Sequence, residues 1–178
     1  MFKKILVALD RSEVGHKVFD QALSLAHLTQ ASLMLLHVLS PEEEGSPYVP
    51  MVSNFDYYPG LNSQNFELYQ KQWESFKTQG IQMLQSFCAQ ANTAGITTEF
   101  TQNLGNPGRL ICDLARSYDA DLIVMGRRGR SGLTEFFLGS VSNYVLHHAP
   151  CSVHIVHLSV TAKKDELVKE TTSPSSVN

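Results

Sequence analysis

Between Met125 and Val156 the chain reads MGRRGRSGLTEFFLGSVSNYVLHHAPCSVHIV. Three glycines (Gly126, Gly129, Gly132) and three arginines (Arg127, Arg128, Arg130) follow an apolar run, and Gly139, Ser140, Val141 and Ser142 open a helix-like segment. A glycine lets backbone N–H groups approach a ligand that a Cβ would hold off. The start of a helix adds unpaired N–H groups and the positive end of its dipole, and both favour an anion. Guanidinium groups supply charge-assisted contacts to the same kind of group. Taken singly, the glycines need be only turn formers and the arginines only solvated charges; in combination they suit phosphate. The spacing is neither GxxxxGK[ST] nor GxGxxG, so the Walker A loop and the dinucleotide fingerprint do not apply.

Such a loop needs a rigid frame. KKILVAL (Lys3–Leu9) and DLIVM (Asp121–Met125) are short aliphatic runs, expected as strands buried in a parallel sheet, with ASLMLLHVL (Ala31–Leu39) as the second strand and CSVHIVHL (Cys151–Leu158) as the last, at the sheet's edge. ITTEFTQ (Ile96–Gln102) alternates and is expected to be less buried. Between the runs, Ser12 is placed to cap a helix carrying Val14, Val18, Ala22 and Leu25 on one face. Asn106 and Pro107 open another, lined by Leu110, Ile111, Leu114 and Ala115. Alternating strands and helices imply crossovers, hence a parallel α/β sheet. Ligands of such open sheets sit beyond the carboxyl ends of the strands, where strand order reverses. The glycine–arginine loop leaves a strand at such an end.

Length and composition narrow the function further. A chain of 178 residues suits one domain with a real core. A formal charge of −3 argues against a dedicated nucleic-acid binder. Cys88, Cys112 and Cys151 are odd in number and far apart, which speaks against a disulfide framework or a thiolate zinc site and for buried free thiols. The N-terminal apolar run stops at Asp10, too soon for a secretory segment, and no run reaches the roughly 18–20 apolar residues of a membrane helix. The expectation is a soluble cytoplasmic protein with no nucleic-acid or membrane partner.

Other chemistries find little support. His147 and His148 are adjacent and diverge on a helix, while His154 and His157 fall on opposite faces of a strand, so neither pair makes a metal site. No nucleophile–base pair is visible, and no catalytic residue is assigned. Fast hydrolysis of a bound phosphate anhydride needs an oriented water and a charge-stabilising set. Asp10 is the one base in view, so any hydrolysis is expected to be slow.

The spacing Gly126, two residues, Gly129, nine residues, Gly139, Ser140, together with ILVALDRSE, LLHVL and GNPGRLICDLA, resembles the ATP-binding branch of the universal stress protein family. The resemblance runs from about Phe2 to Leu158, giving a domain over 1–158 with an insertion at about 40–63 and a polar tail at 159–178. It implies a five-stranded parallel sheet of order 3-2-1-4-5 with helices on both faces, the fold of the adenine nucleotide alpha hydrolase-like proteins. It also implies ATP, or another adenine nucleotide such as AMP or a cyclic nucleotide, in the crevice. Carried over, Ala8, Leu9 and Asp10 border the nucleotide, with Asp10 near ribose or a phosphate-bound Mg ion. Val38 and Met125 meet the nucleoside, and Gly126, Arg128, Gly129, Gly139, Ser140, Val141 and Ser142 hold the phosphates. A homodimer joined through the last strand, 151–158, is implied as well. The function that follows is a nucleotide-sensing regulatory module in stress response; a slow ATPase and a nucleotide-free scaffold are the alternatives.

One element does not fit a plain crossover. From about Gln64 to Ala94, residues Phe66, Tyr69, Trp73, Phe76, Gly80, Met83 and Phe87 step by threes and fours. About 30 helical residues span roughly 45 Å, against roughly 20 Å for a six-residue strand, so the helix must overhang the sheet. Its aromatic start is expected at the nucleotide edge, packed on the insertion (Tyr48, Phe55, Tyr57, Tyr58) or on a protein partner at 40–76.

Overall fold

The computed structural model describes residues 1–41, 43, 45–47, 59–127 and 138–157, the side chains of 59–65 aside. Five strands and four helices alternate: β1 (Lys4–Leu9), α1 (Glu13–Thr29), β2 (Ser32–Leu39), α2 (Pro59–Thr93), β3 (Thr98–Leu104), α3 (Pro107–Tyr118), β4 (Leu122–Gly126), α4 (Ser140–His148) and β5 (Ser152–Val156). The sheet is parallel with order β3-β2-β1-β4-β5, as expected, so strand order reverses between β1 and β4.

The period of two along the strands divides the core into two layers. Ile5, Val7 and Leu9 of β1, Leu33 and Leu35 of β2, and Leu122 and Val124 of β4 pack under α1 and α2, against Val18, Phe19, Leu84 and Phe87. Leu6, Leu36, Val38, Ile123 and Met125 face the other way, against Ile111, Cys112 and Val145 of α3 and α4. The expected caps form: Ser12 accepts from the N–H of Gly15, and Asn106 from that of Arg109. Asp121 Oδ2 accepts from the N–H groups of Lys3 and Lys4 (2.7 and 2.9 Å), which holds its carboxyl below the usual range and fastens the start of β1 to β4. Cys112 is buried and Cys151 half-buried, both as free thiols that burial pushes upward.

The second helix starts at Pro59, earlier than the sequence pattern suggested. Proline is tolerated at a first helical position, where its missing N–H has no intrahelical partner. The overhang is present. The buried residues Phe76, Gly80, Leu84, Phe87 and Ala91 trace one stripe over the sheet, whereas Phe66 and Leu68 are more than half exposed. Phe76 sits near the carboxyl ends of the strands, beside His37 and Arg11, so the helix before it projects past that edge. There its aromatics stack on one another, Tyr69 on Trp73 at 6.3 Å and Trp73 on Phe76 at 5.6 Å. Residues 48–58 of the insertion, with the aromatics expected to cap this stack, and the tail at 159–178 lie outside the described residues.

Candidate functional site

The crevice at the reversal lies between β1 and β4, and α4 packs in the layer on its α3–α4 side. Ala8 pairs with Met125 across the two strands. Ala8, Val38, Met125 and Val141 all belong to the layer on the α3–α4 side, so four residues named from sequence meet there. Leu9 does not join them: its side chain is buried in the opposite layer, and only its backbone borders the crevice.

Val38 owes its position to register. Ser32 donates its N–H to the carbonyl of Lys3, just before β1, while Leu33 and Leu39 bond toward β3. Alternation therefore turns the N–H and C=O of Val38 toward β1. The pairing of β1 with β2 ends at Leu9 opposite His37. The Val38 carbonyl thus stands one step past the last rung, an acceptor at the lip of the crevice.

Gly139 is the N-cap of α4, and the first helical bond runs from the N–H of Asn143 to the Gly139 carbonyl. The N–H groups of Ser140, Val141 and Ser142 precede that ladder and point out of the helix start. Gly139 has φ −60° and ψ 156°, angles any residue adopts, so its own backbone does not demand glycine. Ser142 is buried and its hydroxyl donates to the Gly139 carbonyl (3.0 Å), which leaves its backbone N–H as its donor toward the crevice. Gly126 has a packing reason for lacking a side chain, since a Cβ there would lie 2.7 Å from Val14 Cγ1. Arg128 and Gly129 fall outside the described residues.

Asp10 follows β1, and its Oδ1 accepts from the N–H and the hydroxyl of Ser12, bonds that leave Oδ2 uninvolved. The turn is tight: a Cβ on Gly15 would come within 2.1 Å of the Asp10 carbonyl oxygen, a constraint the sequence reading missed. Asp10 also borders a cleft of about 630 Å³ on the α1–α2 side, with Arg11, Glu13, His16, Glu43 and Phe87. Three of these residues, Asp10, Glu13 and Glu43, are carboxylates, which disfavours a polyphosphate there. The α4 side, with its free N–H groups and no acidic residue in the first turn, favours an anion.

Among the described residues no cluster of three or more His, Cys, Asp or Glu could hold a metal ion. Of the described histidines, His148 bonds the Tyr144 carbonyl, His154 bonds Gln21, and His37 is buried. No described helix is long and apolar enough to cross a membrane.

The sequence model of the universal stress protein family matches residues 1–157. The chain is 39% identical over 155 residues to the universal stress protein Sll1388 of Synechocystis, covering 87% of this chain and 97% of that one. Among solved structures it resembles a universal stress protein in complex with cAMP (TM-score 0.60, 23% identity, 89% of this chain and 98% of that one). It likewise resembles one from Archaeoglobus fulgidus in complex with dAMP (TM-score 0.57, 19% identity, 87% of this chain and 98% of that one).

Proposed function

Since the chain belongs to the universal stress protein family, we propose that it binds an adenine nucleotide in the β1–β4 crevice and acts as a nucleotide-sensing module in the cytoplasm. The observation that carries this reading is the start of α4. Its three leading N–H groups and dipole end belong to a helix whose Val141 packs in the same layer as Ala8 and Met125, beside a glycine that its own dihedrals do not explain. In this reading the base lies against Val38, whose carbonyl accepts from the exocyclic amine of adenine. Phosphates lie on Ser140, Val141 and Ser142, with Arg128, Gly129 and Gly126 completing the loop. ATP with Mg is the ligand proposed first. One carboxylate, Asp10 through Oδ2, fits an ion held mainly by phosphate oxygens and water. AMP or a cyclic nucleotide is the second candidate, favoured by the ligands of the two structural neighbours. Titration with ATP, AMP and cAMP, with and without Mg, tests the reading. Submillimolar binding of at least one is expected, and binding of none would sink it.

The same reading includes a homodimer joined through β5. Val156 accepts from Arg127 on the β4 side. By alternation Ser152 and His154 also turn their backbone groups to β4, while Val153 and Ile155 offer theirs to the open edge. Val153→Pro therefore removes an outward donor and spares the ladder to β4. It should weaken the dimer by about tenfold or more, seen by sedimentation velocity across a dilution series. A wild-type monomer at micromolar concentration would refute the dimer.

A further inference from the structure

Behind the crevice, on the α1–α2 face, lies a buried polar layer. His37 is fully buried in an otherwise aliphatic strand. Its protonation pattern follows from Gln102. That side chain's Nε2 donates to the Lys77 carbonyl (3.1 Å), which can only accept, and this orients the amide. The same nitrogen donates to His37 Nδ1 (2.9 Å), so the ring carries its hydrogen on Nε2 and donates it to both Glu43 oxygens, each at 3.0 Å. Glu43, also buried, lies 3.8 Å from the Arg11 Nε. The Arg11 guanidinium rests 4.1 Å from the centre of the Phe76 ring and donates to Gln79.

The sequence positions of the two ends give this layer a role. Arg11 follows Asp10, and His37 precedes Val38. His37 and Val38 face opposite ways along β2, and Asp10 and Arg11 follow the end of β1, so the chain Arg11–Glu43–His37 joins the two strand ends that border the crevice. We propose that Arg11 and Glu43 are positioning residues, a clamp that fixes the separation of Asp10 and Val38 so that one nucleotide engages both. The proposal rests on the adenine-nucleotide reading of the crevice. Its physical basis is that a site must be held to a fraction of an ångström by groups that are themselves fixed. Hydrogen bonds in a buried layer are stronger than those in water.

Two ligands separate a clamp from a direct contact. ATP spans the base and phosphate subsites, whereas tripolyphosphate needs only the glycine loop and the start of α4. Arg11→Met keeps an unbranched side chain and removes the charge. Measured by calorimetry, it should weaken ATP by on the order of tenfold, the usual size of an energetic coupling between sites, and leave tripolyphosphate unchanged. Arg11→Lys, which keeps a cation for Glu43, should restore most of the loss. Glu43→Gln still accepts from His37 but offers Arg11 no charge, and it should match Arg11→Met. Equal weakening of both ligands by Arg11→Met would make Arg11 a phosphate contact and overturn the clamp. Unchanged ATP affinity in Arg11→Met and Glu43→Gln would overturn it too, with the nucleotide reading intact. If the wild type binds neither ligand, the nucleotide reading falls and the clamp with it.

Discussion

ATP at about a hundred times its dissociation constant should raise the melting temperature by roughly 5–10 °C, and Gly139→Val should abolish that rise. A ligand that binds only the folded state stabilises it by mass action, and a chain of this size converts each kcal/mol into a few degrees. The variant is suitable because Gly139 sits at φ −60° and ψ 156° and makes no side-chain cap bond, so valine brings no backbone strain and removes no cap. What it adds is a branched side chain above the N–H groups of Ser140, Val141 and Ser142, where the phosphates are proposed to lie. Without nucleotide the variant should melt close to the wild type. Gly129→Val, in the loop outside the described residues, is expected to behave alike. A full nucleotide shift in both variants would overturn the phosphate assignment.

Gly80→Ala should destabilise the fold by about 3 kcal/mol, although alanine is favoured over glycine in a helix interior by about 1 kcal/mol. The added Cβ would lie 2.2 Å from Gln102 Nε2, 2.5 Å from His37 Nδ1 and 2.7 Å from His37 Cε1. His37 is fully buried and held on both ring nitrogens, so it has nowhere to retreat. Either α2 lifts from the sheet or the bonds from Gln102 to His37 and Lys77 break, leaving buried polar groups without partners. Urea unfolding gives the answer. A neutral or stabilising effect would show that α2 docks less closely than the geometry requires, and it would weaken the clamp as well.

Much of this protein is legible in the chain itself. Aliphatic runs such as KILVAL and LIVMG are strands wherever they occur, because unbroken burial on both faces leaves few other solutions. Ser12 and Asn106 mark helix starts through bonds made within three residues, and Pro107 through its fixed φ. The overhang of α2 follows from arithmetic on helix and strand rise. Each of these is a local pattern, and local patterns are written in consecutive residues.

What only the tertiary structure decided joins residues distant in sequence. Gly126 lacks a side chain in part because Val14 of α1 packs on it, which the spacing of glycines alone could not reveal. Leu9, beside Asp10, turns away from the crevice because the pleat places it with Ile5 and Val7. The Val38 carbonyl reaches the crevice because β1 stops opposite His37, a matter of register between strands. A single histidine in LLHVL could be recognised as unusual. Its partners Glu43 and Gln102, and the close approach of Gly80, come from separate elements that meet only once the sheet and its crossovers have formed.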